Sequence, residues 1–310
     1  MLKIEIKSLP LPLLLLVVMA CQKDENDSIG TGLAVYRIPV VVHVVHNGEA
    51  VGQGANISLE QVQSQIAVLN EDFRRKAGTN GHNQHPDGVD TQIEFFLAET
   101  DPDGRILLEP GIDRIDGGRT EWPKGAVRNP IDTSLKPSTI WPPTQYFNIW
   151  TVNFGGFSGR NLLGYAQFPD MSGLEGLEEI GGAAETDGIA IGHSYFGSSE
   201  KGSFAQLYAP FDLGRTATHE VGHWLGLRHI WGDGDCSVDD YCTDTPATAG
   251  PNYGCPLDAQ GCYEPAMASN YMDYTDDGCM DIFTHDQKER MIQVLENSPR
   301  RKEMVQLYME

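Results

Sequence analysis

The sequence predicts an α/β fold, in which a twisted mixed β-sheet packs against long helices and a loop-rich region follows. Three observations predict it. Residues 38–45 are almost all β-branched, residues 57–75 have an amphipathic helical pattern, and residues 215–226 are helical in pattern and carry histidines. Strands that precede helices in this way are typical of a sheet covered by helices. The chain has 310 residues, 40% of them hydrophobic, enough for one large domain or two small lobes.

Residues 1–20 resemble an export signal rather than part of the fold. Two lysines precede an apolar run at 11–20, about half the length of a membrane-spanning helix. Ala20 directly before Cys21, with Val18 two positions earlier, resembles a bacterial lipobox. That resemblance implies cleavage before Cys21 and a lipid anchor on this cysteine, which would bind the protein to a membrane.

Residues 21–36 are polar, small and aperiodic at first, which predicts a short tether. The letters CQKDEND resemble the acidic signal that sends Bacteroidetes lipoproteins to the outer surface. We therefore expect a protein anchored to the outer membrane and facing the cell exterior, with a plain periplasmic lipoprotein as the alternative. The net charge of −22 argues against nucleic acid as a partner, because phosphates would be repelled.

The first predicted strand and helix begin the folded domain. Residues 38–45 read as a strand buried on both faces, because the apolar run does not alternate with polar residues. In the helix that follows, Ser58 and Gln61 predict a capping box. Apolar residues then recur at helical spacing: Leu59, Val62, Ile66, Leu69 and Phe73.

Three more segments read as strands, at residues 92–99, 147–154 and 187–197. The region from about 100 to 145 is rich in Gly, Pro and Asp, and we interpret it as a long loop. Near the C-terminus, Thr284 and Gln287 form a second predicted capping box, which starts a final helix.

The stretch THEVGHWLGLRH concentrates ionisable groups in an otherwise apolar helix. His219 and His223 are four residues apart and share one helix face, and Glu220 lies beside the first. A straight helix would put His229 roughly 15 Å from His219. Gly226 can end the helix and let the chain turn back, so that His229 lies beneath the other two.

Three neutral imidazoles around one point are typical of a zinc site that keeps one position open for water. Two other interpretations compete with it. One is a helix with ordinary surface histidines. The other is a purely structural zinc site, which usually closes its fourth position with a protein ligand and has no need of Glu220.

HEVGHWLGLRH matches HExxHxxGxxH, the motif of the metzincin clan of zinc peptidases. SNYMDYTDDGCM resembles the methionine turn of that clan, with Met272 beneath the metal and Tyr274 two residues on. Together with DTPAT, these motifs resemble the pappalysin (cytophagalysin) family, and the likeness covers most of residues 37–285. It implies a metzincin-like catalytic domain.

The expected domain is 37–310. We expect an upper lobe at 37–229 that ends with the zinc helix, and a loop-rich, disulfide-stapled lower lobe at 230–310. We expect a monomer.

The resemblance implies a zinc-dependent endopeptidase that hydrolyses extracellular proteins or peptides. Glu220 would accept a proton from the zinc-bound water and return it to the departing amine. Tyr274 would donate a hydrogen bond to the oxyanion, and Met272 would be an apolar floor. The substrate would lie antiparallel to the edge strand, for which residues 187–197 are the candidate. The alternative is a surface binding or adhesion protein with a metallated but inactive peptidase fold.

The residues after the methionine turn resemble the wall of the pocket for the residue after the cut. Asp276 and Asp277 would give that pocket a preference for Arg or Lys. Gly278 stands before Cys279, where an acidic residue would strengthen the argument, and a solvated acidic turn explains the pair equally well.

Five cysteines besides Cys21 suit an exported protein with at most two disulfides and one free thiol. The family pattern implies links from Cys236 to Cys262 and from Cys255 to Cys279. Cys242 would then be free, although it could take the place of Cys236.

The segment WGDGDCSVDDYCTDTP is dense in carboxylates, which calcium prefers as ligands. By resemblance to the family, Asp240, Asp244 and Thr245 are the expected calcium ligands. A solvated acidic loop is the alternative.

Overall fold

The computed structural model describes residues 34–123, 129–155, 162–178 and 181–308. The predicted signal, Cys21 and most of the predicted tether lie outside these ranges. Within them, no helix combines the length and apolar character that crossing a membrane requires.

Within the described residues, six strands form one sheet. The path runs β2-β1-β4-β6-β5, and β3 pairs with β1 off this path. All pairs are parallel except β5 with β6, so the sheet is mixed, as predicted. The strands are β1 (Tyr36–His46), β2 (Ile93–Leu97), β3 (Ile112–Asp116), β4 (Phe147–Val152), β5 (Gly164–Ala166) and β6 (Ile189–Gly192).

β1 is the central strand. Its first half pairs with β2 and its second half with β3 along one side, while β4 pairs along the other. Residues 38–45 are all buried, which confirms the prediction of a strand covered on both faces. β3 is a strand that the sequence did not reveal. Its letters, IDRID, are short and polar, and they lie inside the region interpreted as a loop.

In the part of the chain that the structure describes, five α-helices accompany the sheet. The first, third and fourth were predicted from their patterns, whereas the second and fifth were not. The helices are α1 (Leu59–Phe73), α2 (Lys136–Thr139, which continues a π-helical turn at Ile131–Leu135), α3 (Arg215–Trp224), α4 (His285–Asn297) and α5 (Pro299–Gln306).

The main core lies between one face of the sheet and helices α1, α3 and α4. One apolar cluster joins Val40 of β1, Leu69 of α1, Val221 of α3 and Val294 of α4. Side chains of β1 alternate between faces, so Val45 joins a smaller cluster on the opposite side of the sheet. Helix α3, which carries His219 and His223, is therefore packed against the sheet, α1 and α4 rather than exposed.

The two predicted capping boxes have different outcomes. At α4, Thr284 and Gln287 make both reciprocal bonds, as predicted. At α1, the Ser58 side chain accepts from the backbone N–H of Gln61, but the Gln61 amide does not return the bond. It donates instead to the carbonyls of His193 and Phe196, because that distant segment packs against the start of α1.

The prediction that residues 187–197 form the edge strand is wrong. β6, within 187–197, lies inside the sheet, and among the described residues β5 is the last strand on that side. The backbone of Leu163 accepts from Gly192 (2.8 Å), and that of Gln167 donates to Gly188 (3.1 Å). Because antiparallel strands alternate, the peptide groups of Gly164 and Ala166 then point away from β6 toward the open side.

Candidate active site

The turn after α3 brings three histidines together. Leu227 donates to the carbonyl of Gly222 and Gly226 to that of His223, both at 2.9 Å, which closes the helix in a Schellman motif. Gly226 has a φ of +89°, as the motif requires. The chain then returns beneath the helix, and one ligand atom from each of three imidazoles lies within 4.8 Å of the others: His219, His223 and His229.

Each of these rings has its Nδ1 atom occupied. His219 Nδ1 lies 2.7 Å from the carbonyl of Tyr271, His223 Nδ1 lies 2.8 Å from that of Leu227, and His229 Nδ1 contacts the carboxylate of Asp233. With the ring protons assigned to these acceptors, each Nε2 keeps a lone pair. The Nε2 atoms of His223 and His229 then face each other at 3.1 Å.

The donor set fits a divalent metal. Two nitrogen lone pairs at this distance repel each other unless a cation lies near both. Burial lowers the pKa of His219 to about 3 and that of His223 well below its ordinary value, so both rings are neutral. Neutral imidazoles are the form that binds zinc. In the described part of the chain, this is the one group of three or more His, Cys, Asp or Glu side chains close enough to hold an ion.

Two side chains that sequence reasoning missed fix the third imidazole. Trp231 stacks on the His229 ring, with centroids 4.3 Å apart and planes within 3° of parallel. Asp233 holds the edge of the ring through Nδ1, and this hydrogen bond lowers the pKa of the carboxyl. No periodic pattern marks either residue, because both lie in a turn dense in Gly and Asp.

Glu220 lies on α3 between the histidine cluster and strand β5. Its side chain is buried, with 8% of the residue exposed. Gly164 of β5 lies directly against it: a Cβ added at Gly164 would be 2.9 Å from the Glu220 Cγ. The Glu220 side chain therefore packs between the sheet edge and the helix that carries it.

The methionine turn lies under the cluster. Met272 is fully buried and its Sδ packs against Gly222 of α3. Tyr274 is 40% exposed, and its ring centroid lies 4.8 Å from that of His229 and 5.6 Å from that of His219. Burial, then the neighbouring Glu220 carboxyl, raises the pKa of the Tyr274 phenol, so it keeps its proton.

The two acids after this turn have different surroundings. Asp277 is 2% exposed, and its carboxylate accepts from the backbone N–H groups of Leu213 (2.9 Å) and Arg215 (3.1 Å), at the start of α3. Burial raises its pKa to about 6. Asp276 is only partly buried, and its backbone N–H donates to the carbonyl of Gly254.

In the acidic loop, the carboxylates of Asp240 and Asp244 accept hydrogen bonds from nearby groups. Asp240 accepts from the backbone of Cys242 (3.0 Å) and the hydroxyl of Thr245 (2.7 Å), and burial raises its pKa to about 7. Asp244 accepts from the backbone of Asp286 through one oxygen (2.9 Å). The expected calcium ligands are thus neighbours, and their calcium role stays a prediction.

The C-terminal region contains two disulfides, Cys236–Cys262 and Cys255–Cys279, and Cys242 is buried as a free thiol. These are the pairs that the family resemblance implies. They join segments that are 26 and 24 residues apart in the chain.

Known proteins that resemble this chain point to one class. It is 38% identical over 270 residues to Extracellular metalloprotease 1 of Coccidioides posadasii, a match that covers 86% of this chain and 80% of that protein. It is 40% identical over 257 residues to an extracellular metalloprotease of Verticillium alfalfae, covering 82% and 75%. With the fold and the histidine cluster, these likenesses define a metallopeptidase.

A solved structure of mature mirolysin from Tannerella forsythia, in complex with a cleaved peptide, matches with a TM-score of 0.70 and 37% identity. The match covers 88% of this chain and 96% of that one. Residues 198–296 match the model of Peptidase M43, pregnancy-associated plasma protein-A. The chain belongs to this pappalysin family, which confirms the resemblance found in the motifs.

Proposed function

We propose that this protein is a zinc-dependent endopeptidase that cuts extracellular proteins or peptides. One observation carries the proposal: three imidazoles, each fixed through Nδ1, converge beside a buried glutamate. His219, His223 and His229 would hold the zinc through Nε2. Bound there, zinc supplies Lewis-acid activation of a water molecule and of the scissile carbonyl.

The chain's own groups then move the protons. Glu220 accepts a proton from the attacking water and later delivers it to the departing amine. Its burial keeps competing water away from the carboxylate. Tyr274, which keeps its phenolic proton, donates a hydrogen bond to the oxyanion that develops on the carbonyl. Met272 supports the histidines from below and has no polar role.

The substrate peptide would pair with β5. The outward peptide groups of Gly164 and Ala166 offer both a donor and an acceptor to an extended chain. β5 contacts α3 at Glu220, so a peptide on this edge passes beside the catalytic carboxylate. The mirolysin structure with a cleaved peptide supports this class of substrate.

A preference for a basic residue after the cut is part of the proposal. Of the two candidate acids, Asp276 is the one with exposed surface. The Asp277 carboxylate already accepts hydrogen bonds from the backbone at the start of α3. We assign to Asp276 the attraction for Arg or Lys and to Asp277 an indirect role through the pocket wall.

Asp240, Asp244 and Thr245 are proposed as calcium ligands. One oxygen of Asp244 is buried and has no hydrogen-bond partner in the described residues. A buried oxygen of this kind is available to bind a cation. Calcium bound there would brace the loop that follows the third imidazole.

The last part of the proposal is that the protein is exported from the cell. Relatives named extracellular metalloproteases support it, and the lipobox-like residues before Cys21 support an outer-membrane lipid anchor. The domain would be monomeric, with an upper lobe at 37–229 and a lower lobe at 230–310.

Digestion of a denatured protein mixture by the purified chain tests the proposal. The wild type should cut internal peptide bonds, and a zinc chelator should abolish cutting. Glu220→Ala should lower kcat about 10²–10⁴-fold, while Glu60→Ala, at an exposed position, should leave it unchanged. Cutting at the wild-type rate in the presence of chelator, or by Glu220→Ala, refutes the mechanism. An inactive wild type favours the surface-binding alternative.

A further inference from the structure

We propose that Gly164 is a positioning residue for Glu220. Glycine is required at this position because the Glu220 side chain occupies the space that a side chain at residue 164 would need. The inference rests on the proposed role of Glu220 as the proton carrier. It concerns the contact between strand β5 and helix α3, where the sheet edge meets the catalytic carboxylate.

The requirement for glycine is steric. A Cβ at Gly164 would lie 2.9 Å from Cγ of Glu220, 2.8 Å from Cδ1 of Ile191 and 3.2 Å from the carbonyl oxygen of Ala190. Gly164 is not among the residues with positive φ, so its backbone suits any L-residue. What excludes a side chain is the space, not the conformation.

The three atoms that a Cβ at residue 164 would meet differ in how easily they can move. The Ala190 carbonyl belongs to the sheet backbone and is fixed. The Ile191 methyl is the end of a side chain, although that side chain is fully buried. The Glu220 Cγ lies in the middle of a buried side chain, so moving it also moves the carboxylate.

A methyl group at 164 therefore displaces the Glu220 carboxylate or lifts β5 away from α3. Close packing leaves no slack for a smaller adjustment. Since a misplacement of about 1 Å can cost about 10²-fold in rate, Gly164→Ala should lower kcat by about that factor. The three atoms nearest this Cβ belong to Ile191, Glu220 and Ala190 and not to the histidine cluster, so zinc content should stay the same.

A thermal double-mutant cycle tests the contact without relying on activity. Glu220→Ala has no Cγ, so the Tm loss caused by Gly164→Ala in the wild type should shrink by at least half in the Glu220→Ala background. Equal losses in both backgrounds would overturn the proposal. This outcome is separate from the proposed function, which is tested by whether the wild type hydrolyses peptides and whether a zinc chelator abolishes that activity.

Two further variants separate the neighbours. Ile191→Val removes Cδ1, so Gly164→Ala with Ile191→Val should regain stability but not kcat; recovered kcat would show that Ile191, not Glu220, carries the effect. Gly117→Ala is the matched control, because its Cβ would meet Trp122 at 2.7 Å and Val45 at 3.1 Å, away from Glu220. It should lower Tm and leave kcat per folded molecule unchanged.

Discussion

The third imidazole differs from the other two in how it is held. His219 and His223 lie on a helix and donate to backbone carbonyls, whereas His229 lies in a turn and depends on a carboxylate. A carboxylate behind a ligand histidine fixes the ring tautomer and makes the ring a stronger base. Asp233 should therefore matter for metal affinity although it would act through His229 and not as a ligand.

Asp233→Ala is expected to weaken zinc affinity about 10–100-fold, because His229 loses its orienting partner. Competition with a chromophoric chelator measures this directly. Asp235→Ala is the control, since Asp235 lies in the same turn and its carboxylate accepts hydrogen bonds from the backbone and hydroxyl of Ser237 rather than from a histidine. Equal affinities for Asp233→Ala and the wild type would contradict the prediction.

Tyr274→Phe keeps the ring contacts with the histidines and removes only the phenolic donor. We expect kcat to fall about 10²-fold with little change in KM, because the bond forms mainly in the transition state. Steady-state kinetics on one peptide measure both constants. Tyr253→Phe, 6.2 Å from Tyr274 between ring centroids, is the control and should be neutral. A similar loss in both variants would argue against a specific role.

At this scale, sequence reasoning could place the candidate ligands because their spacing is local. Helix periodicity puts His219 and His223 on one face, and Gly226 allows the turn that brings His229 back beside them. Gly164 and Asp233 could not be found this way. One acts through a contact with a distant helix, and the other through a turn geometry that no pattern encodes.

At the scale of elements, helix α3 is fixed at both ends by buried charges. At its start, Arg215 pairs with Asp72 of α1 (3.1 Å), and Asp277 accepts two backbone N–H groups. At its end, Trp224 donates to Asp187, which also binds Arg301 of α5. The helix that carries the histidines is thus tied to α1, to the residues after the methionine turn, and to the C-terminal helix.

Asp187→Asn should destabilise the protein by about 3–5 kcal/mol at pH 7, because two arginines lose a buried partner. Burial alone would raise the pKa of Asp187, but Arg301, Arg300 and Trp224 outweigh it and lower the pKa below 3.8. The stabilisation is therefore present above about pH 4 and lost as the pH falls through the folded pKa.

Urea unfolding at pH 7 and pH 3 measures this dependence. The gap between wild type and Asp187→Asn should be largest at pH 7 and narrow in acid. Asp170→Asn, whose carboxylate is partly exposed and lies 3.4 Å from Arg300, should cost much less. A gap that is constant with pH would show that the ion pairs do not supply the stability.

Elements with long, regular patterns were predictable and short ones were not. α1, α3 and α4 follow apolar periodicity and start or stop signals that act locally. β5 has three residues and α2 has four, too few for a pattern to stand out. The order of β5 and β6 depends on how distant strands pair, so the sequence placed the edge in the wrong strand.

For the whole molecule, the disulfides compensate for the loop-rich C-terminal region. Their sequence separations are 26 and 24 residues, so the two should contribute similarly, about 3 kcal/mol each, by restricting the unfolded chain. Double Cys→Ala variants of each pair, unfolded in urea, measure these contributions. Cys242→Ala serves as the control for loss of a cysteine without loss of a link.

The two links should differ in their effect on activity. Cys279 lies five residues after Tyr274 in the chain, so losing the Cys255–Cys279 link should lower kcat more than losing Cys236–Cys262. Two double variants that are as stable as the wild type would contradict the role given to the disulfides.

The zinc content of the purified protein, measured by mass spectrometry after equilibration with zinc and removal of free ions, tests the central claim most directly. The wild type should retain one zinc per chain, and His223→Ala, which removes a buried ligand, should retain almost none. A wild type without zinc, or a His223→Ala variant that keeps a full equivalent, would show that the three imidazoles do not form the metal centre.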